Sequence, residues 1–416
     1  MLLGYRHRGR AVDRPARPRC GDTTAGGDTM GEDAGMTGEG EEAGGVPRER
    51  LLAALRGAER KLWSGPLRSV GERLADVADA AAADLDGWPD FYGDGVVERL
   101  EERTAELLDL PAAVWFPTGT MAQQAALRCW AARTGDPRVA LHADSHPVRH
   151  EREALERVAG LRPVRMGTEH TPVTAEDVRA LDEPVGTVML ELPLRDAGFV
   201  LPTWEELTRT VAAARERDAV VHLDGARLWE CTTWFDRPLP DIAGLADSVY
   251  VSFYKSLGGL SGAALAGPAE LADEARVWRH RYGGSVFQQW PAALTALRGL
   301  ERELPRLPSY VARARLVAAA LRSGFAAAEV PWARVQPQEP HTHQFHVWLA
   351  GDAEALTLAS LRQAEETGTA LFGRWTAAGA PGLALTEVTV DAAGLDWSAA
   401  DVHTALTSFL TYARSR

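Results

Sequence analysis

The chain has 416 residues with 45 basic and 58 acidic side chains, a net charge of −13, and 45% apolar and 25% charged content. At about 150 residues per domain that is room for two or three domains with a sizeable core, and the composition excludes a globally disordered, collagen-like or coiled-coil chain. The acidic balance argues against a general nucleic-acid or anionic-membrane binder, which needs clustered positive potential.

Only Lys61 and Lys255 among the 45 basic residues are lysine, so each lysine is informative. Three cysteines, Cys20, Cys129 and Cys231, are too few and too scattered for a disulfide framework or a metal knuckle and fit a reducing compartment. No apolar run approaches the roughly 18 residues of a membrane span. The basic start MLLGYRHRGR lacks the apolar stretch of a signal peptide, and the expected location is cytoplasmic.

Residues 1–48 read as a disordered tail, with six arginines before Cys20 and then a stretch carrying seven acids and nine glycines. Met30 and Met36 are candidate later starts. From Leu51 the pattern is globular. VVERLEERTAELLDL (96–110) has helical spacing closed by Pro111, and the strand AAVWFP follows. A helix from Thr120 to about Thr134, the strand VALHA (139–143), a helix around 148–159 and the strand RPVRM (162–166) come next. A helix opening near Thr174, the apolar run VGTVMLELP (185–193), a capping box at Thr203-Trp204-Glu205-Glu206 and the strand AVVHLD (219–224) continue the alternation. Short apolar strands at 248–253 and 262–267 complete seven.

Strands alternating with helices predict an α/β fold, a mostly parallel seven-stranded sheet covered by helices on both faces. After ELPRLPSY the order is helix, strand HQFHVWLA, helix, strand LALTEVTV, helix, which predicts a smaller C-terminal α+β domain. The expected organisation is a tail over 1–48, an N-terminal arm and large domain over 49–304, and the small domain over 305–416.

Lys255 lies in SVYVSFYKSLGGLSGAALAG, between an apolar strand and a run of small residues, where a surface-helix lysine has no place. A guanidinium stays protonated, whereas a desolvated ammonium becomes the neutral amine that forms a Schiff base. An ion-paired lysine is the plain alternative. If the carbonyl partner is pyridoxal 5′-phosphate, a carboxylate for the pyridine nitrogen, a phosphate cradle and a group over the ring are required as well.

Asp224 ends the strand VVHLD, where open α/β sheets bind ligands, and a helix cap is its alternative. The turn Pro117-Thr118-Gly119-Thr120 offers backbone N–H groups and the Thr120 hydroxyl to a dianion, with Ser252 as a further hydroxyl. His146, on a strand-to-helix loop, suits ring stacking and proton handling, or is an ordinary loop histidine. Arg227 suits a substrate carboxylate, or a structural ion pair. The order of phosphate turn, His, Asp-x-x-Arg and Ser-x-x-Lys is more specific than any one of these.

From about Tyr92 onward the chain resembles the threonine aldolase and β-eliminating lyase family, within the aspartate-aminotransferase-like fold of pyridoxal-phosphate enzymes. The matching stretches are FYGDGVVERLEERTAELLDL, WFPTGTMAQQ, SHPVRHE, HLDGARLWE, SFYKSLGGLSGAALAG and, more loosely, RHRYGGSVFQQ. The resemblance implies that Lys255 holds the cofactor covalently, Asp224 pairs with the pyridine nitrogen, His146 stacks on the ring, and Gly119, Thr120 and Ser252 hold phosphate. It further implies that Arg227 binds the substrate carboxylate, that Tyr92 reaches toward a neighbouring subunit's site, and that the protein is a homodimer or homotetramer with shared active sites.

Three departures concern the substrate. Glu191-Leu192-Pro193-Leu194-Arg195 replaces an ENTHN-like segment and its histidine. Phe287 stands where the family has an arginine, and a second arginine aligns with LALTEV near Leu383. Arg195, Arg279 and Arg281 are candidate substitutes. The expected activity is cleavage of a β-hydroxy-α-amino acid to glycine and an aldehyde, with β-elimination on another amino acid or a catalytically lapsed binding protein as alternatives. His341, His343 and His346 have no role in this pattern. On a strand the first two share one face, so a metal site needs a bend, and a pocket role or solvated histidines are the other readings.

Overall fold

The computed structural model describes residues 45–82 and 87–414. The tail expected at the N-terminus lies outside the described residues up to position 44, as do Cys20, Met30 and Met36. In chain order the strands are β1 (Arg60–Lys61), β2 (Ala112–Phe116), β3 (Arg138–His142), β4 (Arg162–Met166), β5 (Thr187–Glu191), β6 (Val220–Gly225), β7 (Ser248–Ser252) and β8 (Ala263–Gly267). There follow β9 (Ala333–Gln336), β10 (Gln344–Ala350), β11 (Thr369–Ala370), β12 (Thr376–Ala377) and β13 (Leu383–Thr389).

Seven strands form one sheet in the order β2-β8-β7-β6-β5-β3-β4, parallel from β4 through β7, with β8 antiparallel to both its neighbours. The parallel strands are nearly continuous apolar runs because helices cover both faces, so neither side of the pleat meets water. The polar exceptions are paired. His222 is fully buried in β6, with Nδ1 2.7 Å from Ser248 Oγ and Nε2 2.6 Å from Gln123 Oε1. Burial lowers its pKa to about 3, so the ring is neutral.

Helix Val96–Leu108 buries Val97, Leu100 and Leu108 on the sheet. The expected capping box starts helix Trp204–Glu216, with Thr203 N–H donating to Glu206 Oε2 at 2.8 Å. The helix expected around 148–159 is instead two turns, His146–Arg149 and Ala154–Arg157. Arg152 and Glu153 break it with φ of 51° and 61°, and the preceding Glu151 is drawn into the interior.

The second sheet is antiparallel, in the order β12-β13-β10-β9. Helices Leu307–Ala327, Ala353–Thr367 and Ala399–Arg414 cover it around Phe345, Val347, Trp375, Val388 and Phe409. The N-terminal helix Arg48–Gly57 packs on this unit, burying Leu51 and Leu55 against Leu361 and Ala364, and β1 pairs with β11. Lys61 here caps that helix, its Nζ donating to Arg56 O at 2.8 Å, a favourable place for a cation.

Candidate active site

The carboxyl edge of the parallel strands gathers the titratable groups. Glu191 ends β5 directly beside Asp224 of β6. His146 follows β3, Lys255 follows β7 by three residues, and Gly119 opens helix Gly119–Thr134 after β2. Asp224 is 2% exposed, and its Oδ1 accepts from Ala226 N at 3.1 Å. Burial raises its pKa, and the neighbouring His146 and then Lys255 oppose that rise. Glu191 accepts the backbone N–H of His146 at 2.7 Å and of Arg195 at 3.1 Å. Burial and then the Asp224 charge push its carboxyl up to about 8.

His146 itself has Nδ1 3.4 Å from Oε1 of buried Glu151. A carboxylate on one ring nitrogen fixes the proton there and leaves Nε2 as an acceptor. Sequence reasoning passed over Glu151; its only signal was membership of the SHPVRHE stretch, because the chain break that turns it inward is a tertiary effect.

A cavity of about 500 Å³ opens between the two sheets, lined by Lys255, Arg227 and Ser256 from one side and by His343, Gln344 and Glu387 from the other. Arg227 is 7% exposed, lies over the Phe199 ring at 5.1 Å, and its Nε has no hydrogen-bond partner among the described residues. Glu387 on β13 takes Arg195 Nη2 at 2.9 Å and faces His346 Nε2 at 3.7 Å. Burial works against its charge, but Arg195, His346 and Arg227 together hold it well below the usual carboxylate range. Thus where the family pattern calls for an arginine near Leu383, β13 contributes an anion and the loop after β5 contributes the cation.

The other expected residues fall as follows. Gly119 and Thr120 form the first turn of their helix, with Thr118 Oγ1 accepting from Met121 N at 3.3 Å. A Cβ on Gly119 would overlap the hydroxyl of buried Tyr250. Ser252 donates its hydroxyl to Ala226 O at 2.8 Å, strapping β7 to the DGAR turn. Tyr92 is 58% exposed with φ of 60°, its ring edge-on to Phe287 at 5.5 Å.

Arg279 is spent on Glu101 and on Trp115 O, and Arg281 lies over Trp278, so neither is placed as a substitute for the missing arginines. Arg195 stands beside the cavity wall on Glu387. The three histidines part company. His341 and His343 precede β10 and only His346 lies on it. His341 is half-buried and stacks on Trp234 at 3.5 Å, and His343 and His346 are buried rather than solvated. No group of three potential metal ligands occurs among the described residues, and no helix among them is long and apolar enough to cross a membrane.

This fold and this edge define a known class. Residues 74–347 match the family model described as beta-eliminating lyase, and the chain belongs to that family. It is 34% identical to a provisionally assigned L-allo-threonine aldolase from Listeria monocytogenes, over 88% of this chain and 99% of that one, with a TM-score of 0.79. A structure from Exiguobacterium assigned as an aromatic amino acid beta-eliminating lyase/threonine aldolase is 32% identical, over 87% of this chain and 99% of that one, also at 0.79. Low-specificity L-threonine aldolase of Candida albicans is 29% identical over 52% of this chain. The matched region spans 57% of an aldolase from Penicillium aethiopicum and 61% of the Candida protein.

Proposed function

We propose that this chain is a pyridoxal 5′-phosphate-dependent lyase that cleaves the Cα–Cβ bond of a β-hydroxy-α-amino acid, releasing glycine and an aldehyde. The observation that carries the reading is that Lys255 and His146 both neighbour the buried carboxylate of Asp224 at the carboxyl edge of the sheet. A buried acid whose hydrogen bond among the described residues comes from Ala226 alone fits a protonated pyridine nitrogen, which would supply a second donor. The glycine at position 119 fits a close approach of backbone to phosphate.

When bound, the cofactor supplies an electron sink for the pair left by the breaking bond. Lys255 is the amine that would hold it, and Asp224 would keep its ring nitrogen protonated. His146 would lie against the ring. The N–H groups of Gly119 and Thr120 and the Thr120 hydroxyl would receive the phosphate, and Ser252, whose hydroxyl donates to the Ala226 carbonyl, would add a further hydroxyl there. Arg227 takes the substrate carboxylate with its buried guanidinium. His146, oriented by Glu151, accepts the β-hydroxyl proton at Nε2 as the carbon–carbon bond breaks.

The reading retains the N-terminal arm and large domain over 49–304, with the arm's first helix packed on the small unit, the small domain over 305–416 and a cytoplasmic location, and puts the substrate between the two sheets. It includes a homodimer or homotetramer in which Tyr92 reaches a neighbouring site. Supporting that assembly, Phe91 is 43%, Tyr92 58% and Phe287 54% exposed, the first two packed on the third in one apolar patch.

Purified protein should be yellow, with an absorbance that changes on adding a β-hydroxy-α-amino acid and with aldehyde and glycine released in equal amounts. Lys255→Ala should lose both the colour and the release. Keto-acid and ammonia in place of glycine would overturn the carbon–carbon cleavage. A colourless wild-type protein that takes up no added cofactor would overturn the whole reading.

A further inference from the structure

Glu230 is fully buried in the turn directly after HLDGAR, and none of the roles above uses it. A buried carboxylate is tolerated only when paired and hydrogen-bonded. Its Oε1 accepts the hydroxyl of Ser256, the residue after Lys255, and lies 3.2 Å from Nε2 of His343. His343 comes from the other sheet, immediately before β10, and is 3% exposed.

The hydrogen bonding of His343 fixes its protons. Nδ1 lies 2.6 Å from Val390 O, and a carbonyl only accepts, so Nδ1 carries hydrogen. Nε2 then faces a carboxylate, and one further proton must lie between them. Burial opposes charge on both groups. Even so the His343 pKa is raised by Glu230, and the Glu230 pKa is lowered by His343 and then Arg227, so the pair is imidazolium and carboxylate. The other charged group bearing on His343 is Asp391, and the Tyr310 ring lies 5.9 Å from the imidazole.

We propose that Glu230 and His343 are positioning residues: their ion pair bridges the two sheets and, through the Ser256 hydroxyl, fixes the loop that presents Lys255 to the cavity. The function rests on the reading above that Lys255 holds the cofactor. The pair's geometry does not. With both imidazole nitrogens committed, His343 acts as a fixed charge rather than a proton carrier. The sequence hides the pair because its members lie in segments more than a hundred residues apart: Glu230 closes the HLDGARLWE stretch, but nothing local names His343 as its partner.

Two readouts test it on the full-length protein. Hydrogen exchange of the peptide spanning 253–260, in protein freed of cofactor, should rise in Glu230→Gln, His343→Gln and Ser256→Ala. In protein loaded with pyridoxal 5′-phosphate, the pH midpoint of the visible band should separate the first two. His343→Gln leaves a carboxylate and raises it by roughly half a unit to one unit, whereas in Glu230→Gln the buried imidazole loses the carboxylate that holds its proton, turns neutral, and leaves the midpoint near wild type.

The double variant E230Q/H343Q, with no net charge changed, should return the midpoint and the exchange toward wild type. An unmoved midpoint in His343→Gln, or wild-type exchange in all three single variants, would overturn the proposal. If a single variant does not fold, the double decides: recovery of folding and of slow exchange supports the bridge, and a double no better than the worse single overturns it. A wild-type protein that binds no cofactor defeats the reading of function, while the exchange measurements still judge the bridge.

Discussion

Glu191 is an acid whose buried setting moves it in a direction chemistry can read. Its pKa climbs from an ordinary 4.5 to about 8 through burial and the neighbouring Asp224. Through that window the folded protein keeps a proton that the unfolded chain has released, so this residue makes stability fall as pH rises from about 4.5 to about 8. Glutamine has no such proton. It also accepts through one oxygen only, so either His146 N–H or Arg195 N–H loses its partner, a loss of about 1–3 kcal/mol. Thermal scans should therefore show Glu191→Gln less stable than wild type near the acid end of the window, with the gap narrowing toward the alkaline end. A gap that does not change with pH would mean that Glu191 is already ionised throughout. The same residue illustrates what a sequence conceals. Lys255 announced itself because arginine fills nearly every other basic position, and Asp224 and Arg227 because they share a motif. Glu191, Glu151, Glu230 and Glu387 take their meaning from partners brought in by folding; the first three stand in or at the ends of compared stretches, but no local pattern names what they pair with.

At the scale of elements, the seven strands were readable because a parallel sheet buried on both faces writes itself as apolar runs, and the helices because caps such as Thr203 and Thr174 stand at their starts. The region 148–159 was misread as one helix because Val148, Leu155 and Ala159 keep a spacing that a continuous helix would also bury. What breaks it is the inward turn of Glu151. The helix Gly119–Thr134 carries the element-level prediction, since its first turn must both end β2 and receive an anion. Thr118→Ala removes the bond to Met121 N and should cost about 1 kcal/mol. Gly119→Ala forces a methyl onto buried Tyr250 and should cost roughly 1–3 kcal/mol. Urea midpoints should fall in the order wild type, Thr118→Ala, Gly119→Ala, and affinity for added pyridoxal 5′-phosphate should fall in the same order. Equal affinity in all three would remove this turn from the cofactor site.

At the scale of the molecule, the cavity depends on segments from both ends of the described chain. The N-terminal helix is held by Leu51 and Leu55 on Ala353–Thr367, and Trp63, just beyond β1, lines the cavity. Leu55 is 2% exposed, so Leu55→Ala should lower stability by about 2–5 kcal/mol, read as a drop in urea midpoint at unchanged slope. The apolar patch makes a different demand. Phe91 and Tyr92 both pack on Phe287 with centroids 5.5 Å apart, Tyr92 N–H donates to Phe287 O at 3.0 Å, and the rings remain open to water. A cluster of exposed aromatics held in place by backbone bonds is costly in a monomer and fits the proposed assembly, in which a second copy covers it. Placing a charge there should oppose burial without touching the core: Phe287→Asp should shift the sedimentation profile toward the monomer. If Tyr92 serves a neighbour's site, turnover should fall together with the assembled fraction and recover as protein concentration is raised. A wild-type protein that sediments as a monomer would remove the shared site, and loss of turnover in a Phe287→Asp protein that remains fully assembled would assign the patch to the protomer's own fold instead.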